Sequence, residues 1–287
     1  MPPFQQILFP VDFSNRCERI APRVASFAHH FQARLTLMHA YEVAPQAYPD
    51  GHSFLPVIDT QSLGEYSRNQ LAQFAQTHFA GIDTNQVIVR GEPAHAILDQ
   101  AVTSKADLIM LPTRGFGRFR RLLLGSVSAK VLHDAACPVW TDSHAEEVDH
   151  NIGFPYRNIL CAVNNDEHGE AVLRYGVEFA KHLEAELTLV HAVQAPEVAG
   201  PGFDDAAFRH FLMEQAKGDM ARLQARAGTS LHVCVEGGGP EEVVSRIARR
   251  LNADLVLIHR SGPSLMGRLR SHDYAIIRES PCPVLSV

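Results

Sequence analysis

The chain has 287 residues, 46% of them hydrophobic and 20% charged, with a net charge of −6. That length suits two domains rather than one core, the apolar content excludes a disordered chain, and the acidic balance argues against bulk nucleic-acid binding. No apolar run approaches the ~18 residues of a membrane span, and the opening MPPFQQILFPVDFS lacks the basic-then-apolar layout of a secretory signal. The five cysteines, Cys17, Cys137, Cys161, Cys234 and Cys282, are odd in number and form no CxxC pair. They are expected as buried free thiols, which fits a cytoplasmic chain.

In chain order, ILFPV (7–11) reads as a short apolar strand, and residues 16–32 carry Ile20, Val24, Phe27 and Phe31 at helical spacing. LTLMHA (35–40) is the next strand. A loop containing AYPDG leads to a helix over about 62–80 and then to the strand QVIVR (86–90). GEPAHAILDQAV opens a helix with Pro93 near its first turn, where a missing N–H costs nothing. ADLIML (106–111) is a fourth strand, SVSAKVLHDA (126–135) a short helix and CPVWT (137–141) a fifth strand. The acidic stretch DSHAEEVDHNIGFP (142–155) reads as a linker.

After it the chain starts again. FQQILFPVDF (4–13) matches YRNILCAVNN (156–165), and RLTLMHA (34–40) matches ELTLVHA (186–192), both at an offset of 152. GEP (91–93) and ADLIMLPTRG (106–115) match GGP (238–240) and ADLVLIHRSG (253–262) at offset 147, and ACPVW (136–140) matches PCPVL (281–285) at offset 145. The order of matches is kept, so the chain is a tandem duplication, with domains expected at 1–143 and 156–287. The strands are continuous apolar runs, the mark of parallel strands covered on both faces. With helices between them they predict an α/β fold of two doubly wound five-stranded sheets. Pairing of the two copies about a pseudo-twofold axis, with strands 137–141 and 283–287 edge to edge, would satisfy exposed backbone groups.

Ligands of such sheets sit outside the carboxyl ends of the strands. The strand 1 end, with Asp12, and the strand 4 end, with Thr113–Gly115, both point there. Gly125-Ser126-Val127-Ser128 places unpaired backbone N–H groups and two hydroxyls at a helix N-terminus, an anion site by geometry and dipole. Gly115 and Gly125 carry no Cβ to keep phosphate away. Arg114, Arg118, Arg120 and Arg121 lie between them with no acid among them, fitting either a ligand contact or a solvated loop face. Asp12 fits either a ligand role or a helix N-terminal role, and Phe116 and Phe119 fit either a ligand cover or a partner contact. Leu122–Leu124 suit core or interface. His39 and His191 recur at matching strand ends, where a hydrogen-bonding role is favoured over metal ligation, and His29-His30 suits the surface. No Walker loop, GxGxxG, GxSxG or HExxH motif is present.

PVDFS, LMHA, the GEP turn, the terminal CPV strand and the spacing Gly115, nine residues, Gly125-Ser126 together resemble the universal stress protein family, over nearly all of both halves. Gly115, Gly125 and Ser126 match the second and third glycines and the hydroxyl of its ATP-binding branch, whereas Pro112 stands where that branch has its first glycine. The resemblance implies a Rossmann-like universal stress protein fold and an adenine nucleotide, ATP foremost, bound in the first half. Pro10, Asp12, Ala40, Pro112, Gly115, Gly125, Ser126, Val127 and Ser128 would form that site, with Asp12 meeting Mg²⁺ only through the nucleotide. In the second copy Asp12 becomes Asn164 and GSVS becomes Arg270-Ser271-His272-Asp273, which predicts a structural partner without a ligand, Arg270 lying in the phosphate space. The resulting expectation is a cytoplasmic stress-response regulator or interaction module that hydrolyses ATP slowly or not at all. The alternatives are an interaction protein that binds no nucleotide and a weak ATPase. A homodimer and an unidentified protein partner stay open; no membrane or nucleic-acid partner is expected.

Overall fold

The computed structural model describes residues 4–42, 60–113, 124–142, 154–194, 205–260 and 271–287. Within the first half, five strands alternate with four helices: β1 (Gln6–Pro10), α1 (Asn15–Phe31), β2 (Arg34–Tyr41), α2 (Thr60–His78), β3 (Thr84–Arg90), α3 (Pro93–Thr103), β4 (Leu108–Pro112), α4 (Ser126–Asp134) and β5 (Val139–Asp142). The second half repeats the order as β6 (Asn158–Ala162), α5 (Glu167–Leu183), β7 (Glu186–Val193), α6 (Asp205–Ala227), β8 (His232–Gly237), α7 (Pro240–Arg250), β9 (Leu255–Ile258), α8 (Ser271–Glu279) and β10 (Val284–Ser286). The fold class expected from the apolar runs is the one observed.

The strands form one sheet in the order β3-β2-β1-β4-β5-β10-β9-β6-β7-β8. Within each half every pairing is parallel; the halves meet through β5 and β10, antiparallel, with Val139, Trp140 and Thr141 opposite Ser286, Leu285 and Val284. The expected edge-to-edge meeting of the two terminal strands is therefore present. One face of the sheet is covered by α1, α2, α5 and α6 and the other by α3, α4, α7 and α8, each over its own apolar cluster. The first cluster runs unbroken between the halves: Phe4 of the first lies 5.8 Å, centroid to centroid, from Phe179 of the second.

Local backbone chemistry is repeated where the sequence is. Helices α1 and α5 both end on a left-handed residue, Gln32 (φ 52°) and Glu184 (φ 53°), and the turns after α3 and α7 use Lys105 (φ 53°) and Asn252 (φ 48°). Gly91 and Gly238, with φ of 153° and 138°, open the turns into α3 and α7, a conformation that excludes most side chains. Glu92 caps α3 by accepting from the amides of Ala94 and His95, at 3.0 and 2.9 Å, with Pro93 in the first turn as expected.

The segment read as a polar linker is polar only in part. Asp142 closes β5 and is 2% exposed, its charge matched by Arg23 of α1. At the far end Phe154 packs on Phe27, and just past the segment Tyr156, the counterpart of Phe4 in the repeat, is fully buried, its hydroxyl accepting a 3.0 Å hydrogen bond from the Trp140 indole. Asp142 looks like linker composition in sequence, yet the ion pair with Arg23 compensates its burial, as the indole partner does for the Tyr156 hydroxyl. Residues 143–153 lie outside the described residues.

All five cysteines are free thiols, and all but Cys137 are buried. Burial pushes the thiols of Cys161 and Cys282 up to about 12 and raises that of Cys17. Mass mapping after iodoacetamide treatment at pH 8 is expected to leave Cys17, Cys161 and Cys282 unlabelled in the native chain over a time that labels all three in guanidinium; rapid native labelling would contradict this packing. In urea unfolding, Tyr156→Phe is expected to cost about 1–3 kcal/mol, because the buried Trp140 N–H loses its acceptor. Tyr66→Phe, on a residue 60% exposed, should stay within about 0.5 kcal/mol of the parent.

Candidate functional site

In the first half the strand order reverses between β1 and β4: the chain leaves β1 through α1 towards β2, and leaves β4 through α4 towards β5. The crevice beyond the carboxyl ends of those two strands is where doubly wound sheets bind ligands. Pro10 is the last residue of β1 and is partly buried. Asp12 follows it, and its Oδ1 accepts from the backbone N–H of Ser14 at 3.0 Å and from the Ser14 hydroxyl at 2.6 Å. Ser14 in turn caps α1 by accepting from Cys17 N–H. Asp12 is thus not the cap itself; it braces the cap, in the local side-chain turn that aspartate favours.

Between them sits Phe13 with φ of 57°. Of the five non-glycine residues with positive φ among the described residues, Gln32, Lys105, Glu184 and Asn252 form two pairs related by the duplication. Phe13 has no such counterpart. A bulky residue in the left-handed region costs on the order of 1–3 kcal/mol and gathers at functional turns. Its ring lies 4.5 Å from that of His39, whose Nδ1 donates to the Val11 carbonyl at 2.7 Å. His191 makes the same bond to Val163 at 2.8 Å in the second half. These histidines therefore clamp the strand 1 end in both copies, which accounts for their recurrence. His29 and His30 are exposed.

Ala40 lies near the end of β2, opposite Val89 of β3, and packs on the second apolar cluster. Pro112 ends β4 and is buried. At its level β4 pairs with β5 alone, since β1 pairs only with Leu108 and Ile109, so a residue without an N–H is tolerated there. The amide of Gly125 donates to the Thr113 carbonyl at 2.9 Å, which returns the chain from the loop to the β4 end.

Gly125 is the N-cap of α4, with no side-chain cap bond. Its φ of −65° and ψ of 148° suit any residue, so the backbone does not demand glycine here. What glycine supplies is an approach free of a Cβ to the first-turn amides. Ser126 is exposed at that end and Val127 half-buried. Ser128 is buried and donates its hydroxyl to the Pro112 carbonyl at 3.0 Å, so it ties α4 to β4 and Ser126 is the exposed hydroxyl of the pair. Leu124 packs on the second apolar cluster. Gly115, Phe116, Phe119, Leu122, Leu123 and the arginines 114, 118, 120 and 121 lie outside the described residues.

In the second half the matching crevice, beyond β6 and β9, holds a cavity of about 430 Å³ lined by Asn164, Gln194, His259, His272 and Asp273, among others. His272 is held through Nδ1 by Glu241 at 3.0 Å. The expected place of Arg270 in the phosphate space, and Gly262, fall outside the described residues. Among the described residues no group of three or more His, Cys, Asp or Glu side chains suits a metal ion, and no helix is long and apolar enough to cross a membrane. Sequence reasoning missed Phe13, whose signal is backbone geometry. It also missed Arg260 and Tyr274, whose signal was present in the repeat: they stand where the first copy has Thr113 and Ala129.

Compared with known proteins, the family model described as the universal stress protein family matches twice, over residues 3–141 and 155–287. A universal stress protein of Thermus aquaticus is 36% identical over 136 residues, 47% of this chain and 96% of that protein. The crystal structure of a universal stress protein from Archaeoglobus fulgidus superposes with a TM-score of 0.69 at 23% identity, covering 98% of this chain and 97% of that one. A protein of unknown function from Pseudomonas aeruginosa gives 0.64 at 18% identity, covering 99% and 92%. With both halves matched in order, the chain belongs to the universal stress protein family and carries two of its domains in tandem.

Proposed function

We propose that the chain binds one adenine nucleotide, ATP foremost, in its first domain (1–143), and that the second domain (156–287) serves as its built-in structural partner. In this reading the protein is a cytoplasmic, nucleotide-dependent regulator or interaction module of the stress response. The observation that carries the reading is Gly125: a glycine in a conformation open to any residue, at the uncapped start of a helix, beside the switch point between β1 and β4. Unpaired amides, the helix dipole and the Ser126 hydroxyl suit a phosphate, and the missing Cβ lets it approach. The strained turn at Phe13, peculiar to the first half, supports the same choice of half.

The roles divide by chemistry. Gly125, Ser126 and Val127 would meet phosphate through backbone and hydroxyl, and Gly115 would continue that surface. Ser128 holds α4 against β4. Asp12, the carboxylate at the strand 1 end, would meet Mg²⁺ arriving on the nucleotide. Pro10, Ala40 and Pro112 shape the wall by their backbone. No hydrolytic step is assigned to any residue.

Calorimetric titration with ATP tests the assignment. Ser126→Ala should weaken binding roughly ten- to a hundredfold, the worth of a charge-assisted contact of about 1.5–3 kcal/mol. Gly125→Arg should abolish binding while circular dichroism stays native, and Asn164→Ala should leave affinity unchanged. Parental affinity in Gly125→Arg would end the phosphate-site reading.

A further inference from the structure

The helix that offers its N-terminus to phosphate is held at its other end by the second half. Arg260 follows β9 by two residues and reaches across: Nη1 donates to the Leu132 carbonyl at 3.1 Å and Nη2 to the Cys137 carbonyl at 3.0 Å. Leu132 lies in the last turn of α4, where carbonyls lack partners within the helix and a cation opposes the negative end of the dipole. Tyr274 of α8 adds a 3.0 Å bond from its hydroxyl to the Ala129 carbonyl, one turn earlier.

The traffic runs one way at these places. Thr113, the counterpart of Arg260, directs its hydroxyl to the Asp142 carbonyl of its own half, and Ala129, the counterpart of Tyr274, has no side-chain donor to return. At the near end α4 is fixed by Ser128 to Pro112 and by Gly125 to Thr113. The helix is nine residues long, too short to stand without such tethers. Burial disfavours the Arg260 charge, and in return its fork holds two carbonyls in a fixed geometry.

We propose that Arg260, with Tyr274, is a positioning residue for the first-half site: the second half sets the pose of α4, and through it the affinity for the phosphate end of the ligand. The inference rests on the nucleotide reading above, and two measurements on the full chain separate its failure from the failure of that reading. The first needs no ligand. Hydrogen exchange in a peptide covering 126–135 should accelerate about tenfold or more in Arg260→Ala. Arg260→Lys, which keeps a charge and one reach, should restore part of the protection, and Tyr274→Phe should show a smaller loss. The second is calorimetry with ATP and with adenosine. Arg260→Ala should lose about tenfold for ATP and less than about twofold for adenosine, because α4 meets phosphate alone. Arg250→Ala, which breaks an exposed pair with Glu236, should change neither. Unchanged exchange in α4 overturns the inference whether or not the parent binds ATP. Equal losses for ATP and adenosine overturn it too, since that marks a general loss of structure. A parent that binds no ATP refutes the nucleotide reading and leaves the exchange result to decide the tether.

Discussion

The antiparallel pairing of β5 with β10 is the constraint on which the rest of the molecule depends. Each half ends on a strand whose outer edge would otherwise present unpaired amides and carbonyls to solvent, an open template for association. Three opposed residue pairs close both edges at once and turn two five-stranded sheets into one of ten. Trp140 and Leu285, opposite each other in that register, are fully buried. The start of the second half then becomes part of the joint, since Tyr156 supplies the acceptor that the Trp140 indole requires once water is excluded. Because the pairing strands are the last in each repeat, it also places α8 and the end of β9 within reach of α4.

Given that joint, the duplication separates positions that make the same bonds and turns in both halves from positions that differ. His39 and His191 make one bond twice, Gln32 and Glu184 end two helices in one way, and Gly91 and Gly238 turn alike. Those positions keep their chemistry because the sheet and its crossings require it of both halves. Around the switch point the halves part: Asp12 against Asn164, Gly125 against Arg270, Ser128 against Asp273. In the proposed nucleotide reading, a bulky side chain at 270 and an acid at 273 would oppose phosphate where Gly125 and Ser128 would not. The first half keeps the glycine its backbone does not need, and it alone carries the strained phenylalanine beside the aspartate.

Much of this was legible in the sequence because it is periodic or repeated. Continuous apolar runs gave the parallel strands, the offsets gave the duplication, and the terminal CPV strands pointed to the joint. Asp142 was not legible as core, because its burial depends on Arg23, a partner remote in sequence; Tyr156 stood opposite Phe4 in the repeat, but the role of its hydroxyl depends on Trp140 in a different element. The second hydroxyl of the GSVS stretch was legible as part of a helix start but not as a tether, since only the fold sets Ser128 beside the Pro112 carbonyl. Arg260 was visible as a difference between copies, yet its role belongs to the interface, which a comparison of repeats does not contain. Residues 114–123, including Gly115, belong to the expected motif and lie outside the described residues.

A division of labour in which one half of a duplicated chain carries the ligand and the other the structure fixes the number of nucleotides bound. Native mass spectrometry of the intact chain with increasing ATP counts bound nucleotides directly. The account predicts a single adduct per chain that saturates before any second appears. Two adducts of comparable affinity, or one that persists in Gly125→Arg and is lost on substitution of Asn164 or His272, would contradict it.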